Sequence, residues 1–244
     1  MSASDSFGVI ATSAHPEHGN IGGNALRASV LGANDGLVSN LSLVMGVAGA
    51  GLDNQVILIT GLAGLLAGAC SMAMGEWISV QSARELFLRE LAVERSEIAQ
   101  YPEQELEELV GIYESRGLSS PDAQQLAGHV MADDDRALEV MAREELGIDP
   151  QELGGSAWTA ASSSFALFVV GAIVPVVPFT FFSSTAAVTM SLASSAVVLF
   201  GIGAGITRVT GRSPWRSGLR QLLIGMAAAA VTYGTGLLLG AWVG

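Results

Sequence analysis

The chain has 244 residues, of which 50% are hydrophobic and 14% charged, and its formal net charge at pH 7 is −12. This composition is too apolar for an ordinary soluble domain and indicates a polytopic membrane protein. The acidic balance argues against nucleic acid as a partner and favours cations. Cys70 is the only cysteine, which excludes an intramolecular disulfide.

The charge is concentrated in one segment. Between Arg84 and Glu152 the sequence has 18 acidic and 6 basic residues, which accounts for the whole net charge of −12. We therefore divide the chain into a flexible N-terminal tail (residues 1–24), two membrane spans (25–83), an inserted acidic helical domain (84–152) and three further spans (153–244). The tail lacks a basic stretch followed by an apolar core, so it is not predicted to be a cleavable signal peptide. His15 and His18 in the tail are candidates to meet a metal ion, but a solvated tail is the simpler interpretation.

Five apolar segments predict five transmembrane helices, at about Ala25–Ala50, Val56–Val80, Ala157–Phe179, Ser183–Thr207 and Gly218–Trp242. Neither Gly nor Pro interrupts the sequence between Trp77 and Tyr101. A single helix is therefore expected from about Gln55 to Gln100, leaving the membrane and continuing into water. Pro175 and Pro178 are expected to kink or end the third span.

The placement of arginine predicts the orientation of the chain in the membrane. Arg27 precedes the first span, six arginines lie in the acidic domain, and four surround the connection between the fourth and fifth spans. The loops on the opposite side contain none. By the positive-inside rule, the N-terminus and the acidic domain are cytoplasmic and the C-terminus is on the other side. Glycines at GxxxG spacing, such as Gly236 and Gly240, allow helix pairing but indicate oligomerisation only weakly.

Three helices are predicted in the acidic domain. The first is the continuation to Gln100, and the second begins at Pro102, ends before Gly117 and has a regular apolar stripe. The third begins after Ser119 and stops at Gly147. The predicted fold class is thus all-α, a polytopic membrane protein with five transmembrane helices and an inserted cytoplasmic three-helix acidic domain.

Three residues are candidates to line a path through the membrane. Asp35 is a full charge inside the first span, and a carboxylate in the hydrocarbon region usually faces a cavity, a partner or an ion path. Counting at ~1.5 Å per residue from the flanking arginines places Met72 at about the same depth on the adjacent helix, and Glu76 shares its face one turn later. The alternatives are a structural acid bonded to Ser39 or to a neighbouring helix, and a methionine that only packs.

Carboxylates in the acidic domain occur at helical spacing beside its apolar stripes. Glu94 interrupts the stripe of the first helix with Glu97 as its i+3 neighbour, and Glu105 and Glu108 repeat that spacing on the second helix. Carboxylates directed into a bundle must be protonated, paired or bound to metal, and there are too few arginines to pair them all. Such oxygen ligands with methionine, and no cluster of Cys or His, suit Fe²⁺ or Mn²⁺. A site with oxygen ligands only would also suit Mg²⁺ or Ca²⁺, which the methionine thioether disfavours. Other carboxylates are expected on a solvated face, namely Glu103, Glu107, Glu114 and Asp133.

At these residues the sequence resembles the vacuolar iron transporter family, which includes yeast-type vacuolar iron and manganese carriers and many bacterial members. The resemblance runs from Leu26 to the C-terminus and is carried by LGANDGLVSNLSLV in the first span, ACSMAMGEWISVQS in the second, ERSEIAQYPEQELEEL in the acidic domain and the proline-bearing third span. It implies a homodimer of five-span subunits with a cytoplasmic three-helix metal-binding domain. It also implies proton-coupled export of Fe²⁺ from the cytosol, along a path lined by the first two spans near the dimer interface.

The resemblance also assigns ligands by motif position. It implies intramembrane ligands at Asp35 and Met72. It implies a metal-collecting site formed by Glu94, Glu97, Glu105, Glu108, Met141 and Glu145. The family often has two adjacent methionines in the third helix of the acidic domain, whereas here Met141 is followed by Ala142, which removes one soft ligand.

The predicted function is a divalent metal/proton antiporter that exports Fe²⁺ or Mn²⁺ for iron homeostasis and detoxification, with no prosthetic group and no enzymatic activity. One alternative is a membrane-bound di-iron oxidase, but such sites use Glu-x-x-His pairs and His129 has Leu126 in the required position. Another is a metal sensor, which has no need of Asp35 within a span. The expected location is the cell membrane of a prokaryote, favoured by the short N-terminus, or a vacuolar-type membrane of a eukaryote.

Overall fold

A computed structural model of the protein describes residues 21–147 and 156–243, and all regular structure within these ranges is helical. The ten described helices are α1 (Ile21–Gly49), α2 (Asn54–Gln100), α3 (Pro102–Ser115), α4 (Ser120–Val130), α5 (Asp134–Glu144), α6 (Ala157–Ile173), α7 (Pro178–Phe181), α8 (Ser184–Gly205), α9 (Thr207–Thr210) and α10 (Pro214–Val243). The predicted all-α class is confirmed. His15 and His18 lie outside the described residues.

The longest element is α2, which has 47 residues and a length of about 70 Å. The predicted continuous helix from the second span into the acidic domain is therefore confirmed. Three of the described helices are long and apolar enough to cross a membrane, namely α2, α8 and α10, and α6 is a shorter apolar helix. α1 covers the first predicted span and begins at Ile21, four residues before its expected start.

The acidic domain differs from its prediction in one element. α3 has the expected bounds, but the predicted third helix from Ser119 to Gly147 is wrong, because residues 131–133 interrupt it and separate α4 from α5. The Asp133 side chain accepts hydrogen bonds from the backbone N–H groups of Asp135 and Arg136, both at 3.1 Å. Aspartate stabilises a new helix start in this way, so no Gly or Pro is needed for the break.

The third predicted span ends at its prolines, as expected. α6 stops at Ile173, turns follow, and the short α7 begins at Pro178. The carbonyl oxygen of Pro175 accepts a hydrogen bond from the buried Ser191 hydroxyl of α8 at 2.7 Å. The break in the helix would leave this carbonyl group without a hydrogen-bond donor in an apolar environment, and the Ser191 hydroxyl supplies one.

α1 is the central helix of the membrane part and packs against α2, α6, α8 and α10. It meets α6 through Gly36 and Gly171, where an added Cβ would overlap backbone carbonyl groups of the facing helix. Gly236 of α10 approaches the backbone of Gly46 in the same way. These small residues bring helices of one chain into backbone contact, so their spacing reflects packing within the subunit.

The membrane part and the acidic domain each have their own apolar core. In the membrane part, buried side chains of α1, α2, α8 and α10 pack with Val176 and Phe179. In the acidic domain, Leu109, Tyr113 and Met141 pack with small residues of α4 and with the end of α2. Because α2 contributes to both cores, it fixes the acidic domain at the end of the second span.

Candidate metal sites

Three carboxylates from different parts of the acidic domain meet at one place. They belong to Glu94 of α2, Glu105 of α3 and Glu145, the residue that follows α5. One carboxylate oxygen from each lies within 4.8 Å of those from the other two. Oxygens gathered at this spacing are able to act as ligands of a single divalent cation. We refer to Glu94, Glu105 and Glu145 as the carboxylate cluster.

Local structure explains how these carboxylates converge. α2 ends at Gln100 and α3 begins at Pro102, so the chain changes direction at Tyr101 alone. Proline is favoured in the first turn of a helix because it has no N–H group to leave unsatisfied there. The turn places the start of α3, with Glu105, near the last turns of α2, with Glu94. α5 packs against α2 and brings Glu145 to the same place.

The electrostatics of the cluster favour binding of a cation or of protons. Glu94 is only 2% exposed, and its Oε1 atom is buried without a hydrogen-bond partner among the described residues. Burial, followed by the negative charges of Glu145, Glu105, Glu97 and Glu108, raises the pKa of Glu94 to about 7. Burial and neighbouring carboxylates, Glu108 first, also raise the pKa of Glu105 and of Glu145.

Arginines of the described acidic domain form ion pairs with carboxylates outside the cluster. The ion pairs there join arginines to other carboxylates: Arg95 to Asp135 at 3.3 Å, Arg143 to Glu139 at 3.0 Å, and Arg116 to Glu144. A buried carboxylate without such a partner is costly in its charged form. The donor set therefore fits a bound divalent ion, which would offset several charges at once.

The other predicted ligands of the acidic domain lie around the cluster. Glu97 and Glu108 are exposed, and their charges act on its carboxylates. Met141 is fully buried in the apolar core of the domain, and Ala142 beside it is also fully buried. The structure thus gathers three of the six predicted ligands, keeps two as neighbouring charges and places the methionine in the core.

Asp35 lies on an outward-facing side of α1. It shares this exposed face with Leu31, Ser39 and Leu43, and together with Asp35 these residues recur at intervals of four. The Ser39 hydroxyl donates to the backbone carbonyl of Asp35 at 2.6 Å, so the alternative of a carboxylate bonded to Ser39 is not what the structure shows. Among the described residues, the Asp35 carboxylate has no hydrogen-bond or ion-pair partner.

Met72 lies beside α1 within about one helical turn of Asp35. Its methyl carbon is 3.5 Å from the position that a Cβ on Gly32 would occupy, and Gly32 precedes Asp35 by three residues. The rest of the Met72 side chain packs on Phe168 and its neighbours. Glu76 is half-buried one turn further along α2, next to Trp77, whose ring lies 6.0 Å from that of Trp158.

One polar residue of the first span escaped the sequence-based prediction. Asn40 is 2% exposed, and its Nδ2 atom donates to the carbonyl oxygen of Ala172 at 2.7 Å. Its Oδ1 atom is buried without a hydrogen-bond partner among the described residues. An asparagine inside an apolar span was the available signal, since such a group is costly unless it is satisfied.

The raised pKa of Glu94 predicts that the metal-free protein loses stability as pH rises. Between pH ~4.5 and ~7 the folded state binds more protons than the unfolded state, so the free energy of unfolding falls over this window and then levels off. Glu94→Gln should flatten the curve, because the amide does not titrate. Thermal unfolding with a chelator, from pH 5 to pH 8, measures the effect.

The exposed Glu103 provides the matched control for this experiment. Glu103→Gln makes the same chemical change on α3 and should leave the pH dependence close to that of the wild type. Parallel stability curves for wild type and Glu94→Gln would show that burial of this carboxyl has no thermodynamic consequence.

The sequence of this chain is similar to those of known proteins. The family model described as "VIT family" matches residues 26–237. The chain is 32% identical over 224 residues to vacuolar iron transporter 1 of Oryza sativa subsp. japonica, with 90% of this chain and 87% of that protein covered. It is 36% identical over 219 residues to the vacuolar iron transporter of Acanthamoeba castellanii, with 87% and 78% covered. It is 35% identical over 225 residues to vacuolar iron transporter homolog 1 of Arabidopsis thaliana, with 88% and 83% covered.

Proposed function

This chain belongs to the VIT family, whose members are transporters and not enzymes. We propose that it exports Fe²⁺ or Mn²⁺ from the cytosol in exchange for protons. The observation that carries the proposal is the carboxylate cluster: Glu94 and Glu105 are buried, and Glu94 lies on the same helix that enters the membrane. Relatives named as iron transporters support iron as the cargo.

The cluster acts as the collecting site in this proposal. Glu94 has a pKa of about 7, so protons and metal ions compete for it near neutral pH. A divalent ion that binds there displaces protons and gains ligands from Glu105 and Glu145. The exposed Glu97 and Glu108 add negative potential beside the carboxylate cluster, which raises the local concentration of cations.

α2 links this collecting site to the membrane path. Met72 precedes Glu94 by 22 residues, which corresponds to about 33 Å along the helix axis. Asp35, Met72 and Glu76 then supply one charged ligand, one soft uncharged ligand and a second carboxylate near the membrane boundary. Such a mixed set suits Fe²⁺ or Mn²⁺ better than it suits Mg²⁺ or Ca²⁺, which typically bind at sites made of oxygen ligands only.

We propose a homodimer because the face of α1 that holds Asp35 is uncovered in the single chain. Leu31 is 59% exposed on this face, and a carboxylate beside it would meet lipid unless a second copy covers it. The five spans are then α1, the apolar half of α2, α6 with α7, α8, and α10. The arginine distribution supports a cytoplasmic acidic domain and hence export as the direction.

Transport by the purified full-length protein in proteoliposomes tests this function. Fe²⁺ and Mn²⁺ should cross the membrane while a pH-sensitive dye reports proton movement in the opposite direction, and Mg²⁺ should give a rate at least about tenfold lower. Protein-free vesicles supply the background. Metal flux without proton movement would rule out antiport, and no flux of any metal would rule out transport.

A further inference from the structure

The C-terminal part of the membrane domain carries positive charge and no acidic residue of its own. From residue 153 to the end the sequence has no Asp or Glu and four arginines, namely Arg208, Arg212, Arg216 and Arg220. All four are exposed, and none takes part in an ion pair within the described part of the chain. They lie within thirteen residues, where α8 and α9 lead into α10.

Two of these arginines line a cavity of about 250 Å³ between α8 and α10. Its lining residues are Gly203, Ile206, Arg212, Ser217, Arg220 and Gln221. A Cβ on Gly203 would lie 2.6 Å from the Ser217 carbonyl oxygen, so α8 and α10 are in backbone contact at its base. The Gln221 side chain donates a hydrogen bond to the Asn34 side chain and so connects α10 at the cavity to α1. The cavity is therefore built from packed helices and not from a loop alone.

The position of the cavity corresponds to the polar boundary of the membrane. α10 is one of the helices able to cross a bilayer, and the cavity lies at its first two turns. Trp215 is 69% exposed and its ring lies 5.3 Å from that of Phe200 in an edge-on arrangement. Tryptophan at the end of a span is typical of the headgroup level. The first N–H groups of α10 also lack acceptors within their own helix and favour an anion.

We propose that this cavity binds the phosphate group of an anionic phospholipid. Arg212 and Arg220 supply charged donors with planar geometry suited to phosphate oxygens, and the nearly buried Ser217 supplies a hydroxyl donor. Basic pockets between transmembrane helices on the positively charged side are suited to such headgroups. Free phosphate offers the same oxygens, but the membrane-boundary position favours the lipid.

Native mass spectrometry of the full-length protein in detergent tests the proposal without measuring transport. Phosphatidylglycerol and phosphatidylcholine with identical acyl chains are titrated separately. We expect phosphatidylglycerol to be retained at least about tenfold more strongly. Arg212→Gln/Arg220→Gln should remove most of this preference, whereas Arg208→Gln/Arg216→Gln, with the same change in charge, should retain it.

Each outcome bears on the proposal. Equal losses in the two double variants would mean a diffuse positive surface and would overturn the assigned site, as would the absence of any preference for phosphatidylglycerol. Displacement of the lipid by millimolar inorganic phosphate would identify free phosphate as the ligand and overturn the lipid assignment. If the glutamine pair does not fold, Arg212→Lys/Arg220→Lys keeps the charge and loses the planar donors, and unchanged retention by that pair would also count against the site.

Discussion

Under the proposed antiport, replacing Asp35 by asparagine should abolish metal transport and the proton movement coupled to it, while the protein remains folded. A metal ion that leaves water must gain protein ligands in a region of low dielectric constant, and Asp35 is the only carboxylate of α1. In the proposed antiport, the Asp35 carboxylate is the charged ligand that α1 contributes along the ion path. Asparagine keeps the shape and loses the negative charge, so the initial rate should fall about 100-fold or more.

Asp53 provides the matched control for this experiment. It is exposed in the short loop before α2, and its side chain makes no capping hydrogen bond, so Asp53→Asn removes the same charge without cost to the helix. Transport by this variant should stay within about twofold of wild type. Met72→Ala should reduce transport less than Asp35→Asn, because it removes no charge. Near-normal export by a well-folded Asp35→Asn protein would assign the carboxylate a structural role.

Replacing the whole carboxylate cluster with glutamine should remove high-affinity metal binding by the acidic domain. Glu94→Gln/Glu105→Gln/Glu145→Gln keeps the side-chain volumes and eliminates all three charges that would face the ion. We expect the affinity to fall about 100-fold or more, because neutral amides are poor substitutes for carboxylates as ligands. Calorimetric titration of the full-length protein with Mn²⁺ at pH 7.5 measures the change.

A second triple variant separates specific ligation from overall charge. Glu103, Glu107 and Glu114 are exposed on α3, outside the cluster. Changing all three to glutamine alters the net charge by the same amount and should lower the affinity by no more than about threefold, through the weaker local field. Similar losses in both triple variants would mean that the acidic domain attracts cations only as a diffuse charge.

Much of the helical framework was predictable because hydropathy and periodicity are properties of neighbouring residues. The uninterrupted sequence from Trp77 to Tyr101 predicted the continuous α2, and Pro102 with the following apolar stripe predicted α3. The break before Asp133 escaped prediction because the capping contact uses an ordinary charged residue within a charged run. Gly and Pro are stronger signals of a helix end than a single capping aspartate.

The sequence predicted the candidate metal ligands and the helices that carry them, but not which of these side chains meet. Glu94 and Glu97, or Glu105 and Glu108, have equivalent spacing, and only the turn at Tyr101 together with the packing of α5 buries one of each pair beside Glu145. Likewise, the sequence reveals a charge in the first span, but the backbone contacts of Gly36 and Gly171 decide that α6 covers one side of α1 and leaves Asp35 exposed on another. Helical periodicity defines faces of a single helix, whereas burial depends on which helices pack against those faces, and that is a property of the tertiary structure.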